Sequence, residues 1–257
     1  MEDWNQFITS EIERLVREHD DGFGYRTPIV GFTTADDPVF ENLRKTISPT
    51  HFLPEDMLPG AKSVVSFFVP VSPNTVRANN VHGPSVEYAH VKCMQKDLME
   101  HVIDGLKASL AAVGVRCSDN TEGHIPFQLT PPYHPWLQKP IAVACGVGKF
   151  GVNRQIITKS GCTGRLGSVV VDVETVPTGR IQEEYCLYFA DGSCGLCVKS
   201  CPVGALSLDG IDRPRCKQKI HEITEHYHGD LKISDNCAQC ITGMPCALHV
   251  PTHADLK

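Results

Sequence analysis

Eight of the chain's twelve cysteines fall between Cys186 and Cys246, about a quarter of its 257 residues. That density limits the fold more than any other feature, because thiols so closely spaced either pair with one another or share metal. Cys194, Cys197 and Cys201 make the run C-x2-C-x3-C-P, with Cys186 on its upstream side. Cys216, Cys237, Cys240 and Cys246 make a second group of four. A C-x2-C turn presents two sulfurs on one side of a tight loop, and grouped thiolates suit soft or borderline metals. Two clusters are expected.

The bacterial ferredoxin pattern is C-x2-C-x2-C-x3-C-P, its fourth cysteine serving the other cluster in two-cluster proteins. Here Asp191 stands where the first cysteine would fall, and Pro245 precedes the final cysteine instead of following it. Cys186 lies near enough to supply the missing thiolate. By the crossed logic, one 4Fe-4S cluster takes Cys186, Cys194, Cys197 and Cys246, and the other takes Cys201, Cys216, Cys237 and Cys240. Two structural zinc sites would also use eight thiolates, but they usually pair two C-x2-C hairpins without a third cysteine followed by Pro. Disulfide frameworks belong mainly to short secreted chains. This one begins MEDWNQFITSEIERL, an acidic amphipathic start with no basic or apolar leader regions.

A net charge of -6 argues against a nucleic-acid-binding surface, which needs clustered Lys and Arg. The longest apolar run, Val64 to Val71, is too short to cross a bilayer, so no membrane partner and a cytoplasmic location are expected. Cys93, Cys117, Cys145 and Cys162 read as small buried apolar thiols.

Along the chain, Phe7, Ile8, Ile12, Leu15 and Val16 take helical spacing within residues 3–19. PIVGFT reads as a strand, and Pro38 opens a helix through PVFENLRKTI. SVVSFFVP reads as a buried strand, and residues 71–84, rich in Pro, Asn and Ser, as a loop. A long helix is expected from Ser85 to Ala112, stopped by Gly114. TEGHIPFQLTPPYHPWLQKP has the mixed aromatic, His and Pro content of a binding loop. Gly146, Gly148 and Gly151 match G-x-G-x-x-G, yet no long helix is expected to follow, so the dinucleotide reading is weak. GRLGSVVVDV reads as a strand.

ACGVGKFGVN, then ITKSGCTGRLGSVVVD, then a double-cluster cysteine segment resembles the epoxyqueuosine reductase family over roughly residues 60–250. The resemblance implies an α+β fold: a nitroreductase-like α/β domain in residues 1–180, then a ferredoxin-like double-cluster module in residues 181–257. Its architecture is shared with reductive dehalogenases, and it implies a corrinoid (cobalamin) held beside the clusters. Gly146, Gly148, Gly151, Asn153, Gly164, Arg165 and Gly167 are then the cofactor-binding candidates. Family members carry an acidic proton donor shortly before the glycine run; that position falls on Pro132 here, leaving Tyr133 and His134 as candidate catalytic donors. Val152 stands in place of the family's Lys.

The implied activity is an oxidoreductase passing single electrons from a low-potential donor, of ferredoxin or flavodoxin type, through two clusters to a corrinoid or small-molecule substrate. One alternative is a noncatalytic carrier that reduces a partner corrinoid protein. Another is a flavin-dependent reductase.

Overall fold

The structure, a computed structural model, describes residues 3–19, 22, 24–79, 85–119, 128–129, 132–226 and 237–256, with only the backbone at 86, 128–129, 132–133 and 224–226. Helix α1 (Trp4–Glu18) is capped by Asp3, whose side chain accepts from the Gln6 N–H. Strand β1 (Ile29–Thr34) leads to α2 (Pro38–Thr46), which opens on Pro38 with Asp37 as its cap. A single turn, α3 (Pro54–Met57), precedes β2 (Ser63–Pro70). The expected loop after it is a helix in part, α4 (Pro73–Ala78), because the Ser72 hydroxyl accepts from the Thr75 N–H and Pro73 is tolerated in the first turn; residues 80–84 lie outside the described set.

The long helix α5 (Val86–Ala112) is capped by Ser85 and followed by Gly114 at φ 79°. Pairs β3 (Gln128–Leu129) with β4 (Pro132–Tyr133), and β5 (Lys149–Phe150) with β6 (Ile156–Ile157), are short hairpins on either side of α6 (Gln138–Ala144). Strand β7 (Gly164–Val171) closes the main sheet. Its order is β1-β2-β7, antiparallel throughout, with Phe67 opposite Gly167 and Val64 opposite Val170.

Every residue of β2 is buried, because helices cover both faces of the strand that lies between two others. Val65, Phe67 and Val69 point to α1 and α5, meeting Ile8, Ile12, Leu98, Val102 and Leu106. Val64 and Phe68 point the other way, to Phe40, Trp136 and Ile141. The period of two along β2 thus serves two cores, and the strand is apolar almost without interruption for that reason. The result is a mixed α/β fold with helices on both sides of a short antiparallel sheet. Trp136, expected in a binding loop, belongs to this core: it is 0% exposed, stacks on Phe40 with ring centres 5.7 Å apart, and donates from Nε1 to Ser168 Oγ at 2.8 Å.

Beyond β7 regular structure thins out. Helices α7 (Leu187–Asp191) and α8 (Leu196–Lys199) are single turns, and α9 (Arg213–His226) is the one longer helix described there. Among the described residues no helix is long and apolar enough to cross a membrane.

Candidate metal centre

Cys186 is the residue before the first turn of α7, and Gly192 ends that helix in the left-handed region at φ 78°. The chain then doubles back through Ser193 into Cys194 and Cys197. Cys186, Cys194, Cys197 and Cys246 line one cleft together with Gly151, Asn153, Tyr188 and Met244. Burial pushes the Cys197 thiol up to about 12, and Cys246, Cys186 and Cys194 add to the shift as neighbouring thiols. Asp191, at the ferredoxin cysteine position, accepts from the Ser193 N–H at 2.8 Å and pairs with His253 Nε2 at 2.7 Å. It braces the loop, while Cys186 lines the cleft.

The second four thiols are also mutual neighbours. Burial raises the Cys240 thiol to about 12, with Cys237, Cys197, Cys216 and Cys201 adding to it. Burial likewise raises Cys237, reinforced by Cys216 and Cys201, and raises Cys216, reinforced by Cys201. The Ala205 N–H points at Cys201 Sγ, 3.1 Å away. Cys197 and Cys240 are the neighbours that link one group to the other. Thiols crowded like this are held neutral by burial and by one another, and a bound metal would displace their protons and take up the thiolate charge. Among the described residues no three Cys, His, Asp or Glu side chains converge on the position of a single ion. A four-iron cluster makes a looser demand, since each thiolate takes its own iron.

Cys246 reaches this cleft because its segment pairs with the entry to β7. The Cys162 N–H donates to the Cys246 carbonyl at 2.8 Å and the Thr163 N–H to the Ala247 carbonyl at 3.2 Å. Gly161, at φ 83°, permits the approach, since a Cβ there would stand 2.4 Å from the Ala247 carbonyl oxygen. Arg26 braces the same junction, donating to the carbonyls of Val71 (3.1 Å), Leu248 (2.9 Å) and Ser160 (2.6 Å). Its half-burial lowers its pKa. Asn79 adds a bond from Nδ2 to Thr242 Oγ1 at 2.7 Å.

Asn153 lies between the two groups, donating from Nδ2 to the Cys240 carbonyl at 3.1 Å with Cys246 Sγ at 3.9 Å. The next residue, Arg154, has φ 61°, and Ala238, between Cys237 and Cys240, has φ 51°. A left-handed conformation is unfavourable for these side chains, and such strain gathers where structure serves a site. Lys139 donates to the Arg154 carbonyl at 2.8 Å. Burial lowers its pKa to about 8, Arg213 and Lys92 lower it further, and Cys240 opposes them. Sequence reasoning overlooked Lys139 and Arg26; neither stands in a motif, and each acts through residues distant in the chain.

The candidates for a corrinoid are placed differently. Gly151 and Asn153 line the cleft. A Cβ at Gly146 would stand 2.1 Å from the Gly179 carbonyl oxygen, at Gly148 2.4 Å from that of Ile157, and at Gly164 2.4 Å from that of Val69. One at Gly167 would stand 2.4 Å from the Phe67 ring. At these four glycines the missing Cβ lets the chain pack closely on itself. Arg165 lies in β7 opposite Val69. His134 caps its own loop, with Nδ1 3.1 Å from the Trp136 carbonyl oxygen and 3.3 Å from the Trp136 nitrogen, and does not line the cleft. Tyr133 ends β4, and its side chain lies outside the described residues.

The structure is a mixed α/β body with eight neighbouring thiols on its C-terminal flank, and comparison with known proteins places it beside a family. The chain is related to the epoxyqueuosine reductases. It is 28% identical to the one from Vibrio cholerae over 181 residues, 68% of this chain and 45% of that protein. The relative from Aliivibrio fischeri is 27% identical over 63% of this chain and 42% of its own length. The chain therefore spans just under half the length of these relatives. The fold matches the solved epoxyqueuosine reductase from Bacillus subtilis with a TM-score of 0.59 at 18% identity, covering 97% of this chain and 67% of that one. It also matches an epoxyqueuosine reductase solved with an epoxyqueuosine-modified tRNA stem loop (TM-score 0.60, 18% identity, 97% and 67% covered). A catabolic reductive dehalogenase shares the fold with a TM-score of 0.57 at 13% identity, over 88% of this chain and 31% of its own. No family model matches the chain. The tRNA stem loop belongs to that solved epoxyqueuosine reductase; for this chain the expectation is against a nucleic-acid partner. That expectation rested on net charge, which says nothing about a local surface.

Proposed function

We propose that this chain is an iron–sulfur oxidoreductase of epoxyqueuosine reductase type. Cys186, Cys194, Cys197 and Cys246 hold one 4Fe-4S cluster, and Cys201, Cys216, Cys237 and Cys240 hold the other. The observation that supports this reading is the closeness of the eight thiols: Cys186, Cys194, Cys197 and Cys246 line one cleft, and Cys201, Cys216, Cys237 and Cys240 neighbour one another, with Cys240 also near Cys197. On this reading residues 1–180 form a nitroreductase-like domain and residues 181–257 a ferredoxin-like module. Such clusters, when bound, take up and release one electron at a time at low potential. The chain's part is to hold the thiolates, to exclude water by burial, and to aim N–H groups such as that of Ala205 at sulfur. The Lys139 ammonium beside Cys240 adds positive charge near the second quartet.

The acceptor of these electrons is a corrinoid, the cofactor that the likeness to epoxyqueuosine reductases and dehalogenases suggests, or a substrate of that group. A second form of the same reading sends the electrons to a corrinoid on a separate protein, which would use the same two clusters. Because one relative binds a modified tRNA stem loop, RNA is a substrate class to test directly.

Protein purified without oxygen should be brown, carry about eight irons per chain as two four-iron clusters require, and give two sets of reduced-cluster signals in electron paramagnetic resonance. Stoichiometric zinc with little iron overturns the reading. Cobalt in the same analysis, with a base-off cobalamin spectrum, assigns the corrinoid to this chain. Flavin fluorescence after denaturation assigns a flavin instead, and absence of both with rapid reduction of a corrinoid protein assigns the carrier role.

A further inference from the structure

Cys162 lies outside both quartets, yet its sulfur is 3.8 Å from that of Cys246. The approach is built into the backbone: residues 162–163 donate to the carbonyls of residues 246–247, which fixes the two cysteines side by side. Asn153 meets the same place, with Nδ2 3.7 Å from Cys162 Sγ and 3.9 Å from Cys246 Sγ. The orientation of its amide follows from its hydrogen bonds, since Oδ1 accepts from the Gln155 N–H at 3.1 Å and Nδ2 donates to the Cys240 carbonyl. Cys162 is 4% exposed and Asn153 3%, so water does not compete for the sulfur. The Cys162 thiol has another acceptor within reach, the Ile241 carbonyl at 3.9 Å, but a thiolate at Cys246 is the stronger one.

Resting on the two-cluster reading, we propose that Cys162 and Asn153 are positioning residues that jointly hydrogen-bond the Cys246 sulfur and raise the reduction potential of the cluster it ligates. Reduction adds one negative charge to the cluster. Donors aimed at a ligand sulfur stabilise that added charge, and in a buried site they do so with little screening. Cys162 is a donor in this arrangement, not a fifth ligand. Asn153, bonded also to the Cys240 carbonyl, fixes the first quartet relative to the second.

The test is a potentiometric titration followed by electron paramagnetic resonance on the anaerobic full chain, wild type against Cys162→Ala and Cys162→Ser. Cys162→Ala should keep its iron, and one of the two clusters should become harder to reduce by about tenfold in its equilibrium, about 59 mV for one electron. The other cluster should stay unmoved. Cys162→Ser, which keeps a donor and nearly the same volume, should fall between alanine and wild type. If the alanine variant does not fold, Cys162→Val, which removes the donor and fills the space, decides by the same reading, a shift confined to one cluster supporting the clamp and unmoved potentials overturning it. Both clusters present with unchanged potentials in Cys162→Ala overturns the clamp and leaves the two-cluster reading intact. Wild-type protein without iron or cluster signals overturns that reading and the clamp with it.

Discussion

The sheet and the cysteine-rich segment are held by different forces. Around β2 the chain buries an unbroken row of eight residues between two layers of helix, and hydrophobic burial accounts for its order. From Cys186 onward the buried apolar side chains described are few, Leu187, Ala205, Leu206, Ile223, Met244 and Ala247, and two of the helices are single turns. Among the described residues that segment has little apolar core, and on the proposed reading ligation by the grouped thiols supplies the order that burial does not. If the thiols ligate clusters as proposed, one region folds on its own account while the other depends on what it binds. The contrast breaks if both respond alike to loss of metal.

The largest effect should come from that loss. Stripping iron anaerobically with a chelator should abolish hydrogen-exchange protection across residues 186–216 and 237–250, while residues 63–70 and 164–171 stay protected. Equal deprotection of both regions would show a single cooperative unit. Next in size, Phe67→Ala should destabilise the sheet by about 3–5 kcal/mol in chemical denaturation, the range for emptying a buried aromatic site. Phe67 is fully buried and its ring covers Gly167, so collapse into the space is limited. Its iron content when folded should match wild type.

The same contrast explains what could be read from the chain. Period-two burial in SVVSFFVP, Ser85 and Gly114 at the two ends of α5, and Pro38 at the start of α2 are local signals, and each element stands where its signal lies. Spacing also suggests how the eight cysteines group, because ligand spacing is a local property of loops, and that they lie near one another agrees with it. What escaped was non-local. Antiparallel pairing of β1, β2 and β7 depends on connections that no strand pattern encodes. Cys162 looked like any buried thiol because its partner, Cys246, is 84 residues away. Trp136 looked like a binding-loop aromatic because its neighbours in sequence are prolines and histidines, whereas its neighbours in space are Phe40 and Ser168. The one local signal misread was S-P-N-T at the start of α4, a cap and first turn hidden in a stretch of turn-forming residues.

Arg26 tests the seam between the regions. Its guanidinium bonds three carbonyls, two on the sheet side and one, that of Leu248, in the cysteine-rich segment. Arg26→Ala leaves those acceptors without their charged donor and should cost about 2 kcal/mol. The loss should appear as faster exchange in residues 246–250 ahead of the sheet. If the sheet opens first, Arg26 serves the N-terminal core and the seam is held elsewhere.

The smallest effect concerns pH and separates apo from loaded protein. Cys197 and Cys240 have folded-state pKa values raised to about 12 by burial and neighbouring thiols, above the value of about 8.5 for an unfolded cysteine. A group raised in this way favours the folded apo state fully below the unfolded value, and that contribution is lost as pH climbs toward the folded one. Apo protein should therefore lose stability between about pH 8.5 and 12, the loss concentrated in the cysteine-rich segment. In the loaded protein the same sulfurs are already deprotonated and bound, so the alkaline slope from these groups should vanish. Thermal unfolding at a series of pH values, with and without iron, reads the difference. An alkaline slope that persists unchanged in the iron-loaded protein would mean that these thiols are not the ligands, and the contrast between a region ordered by burial and one ordered by ligation would fail at its chemical root.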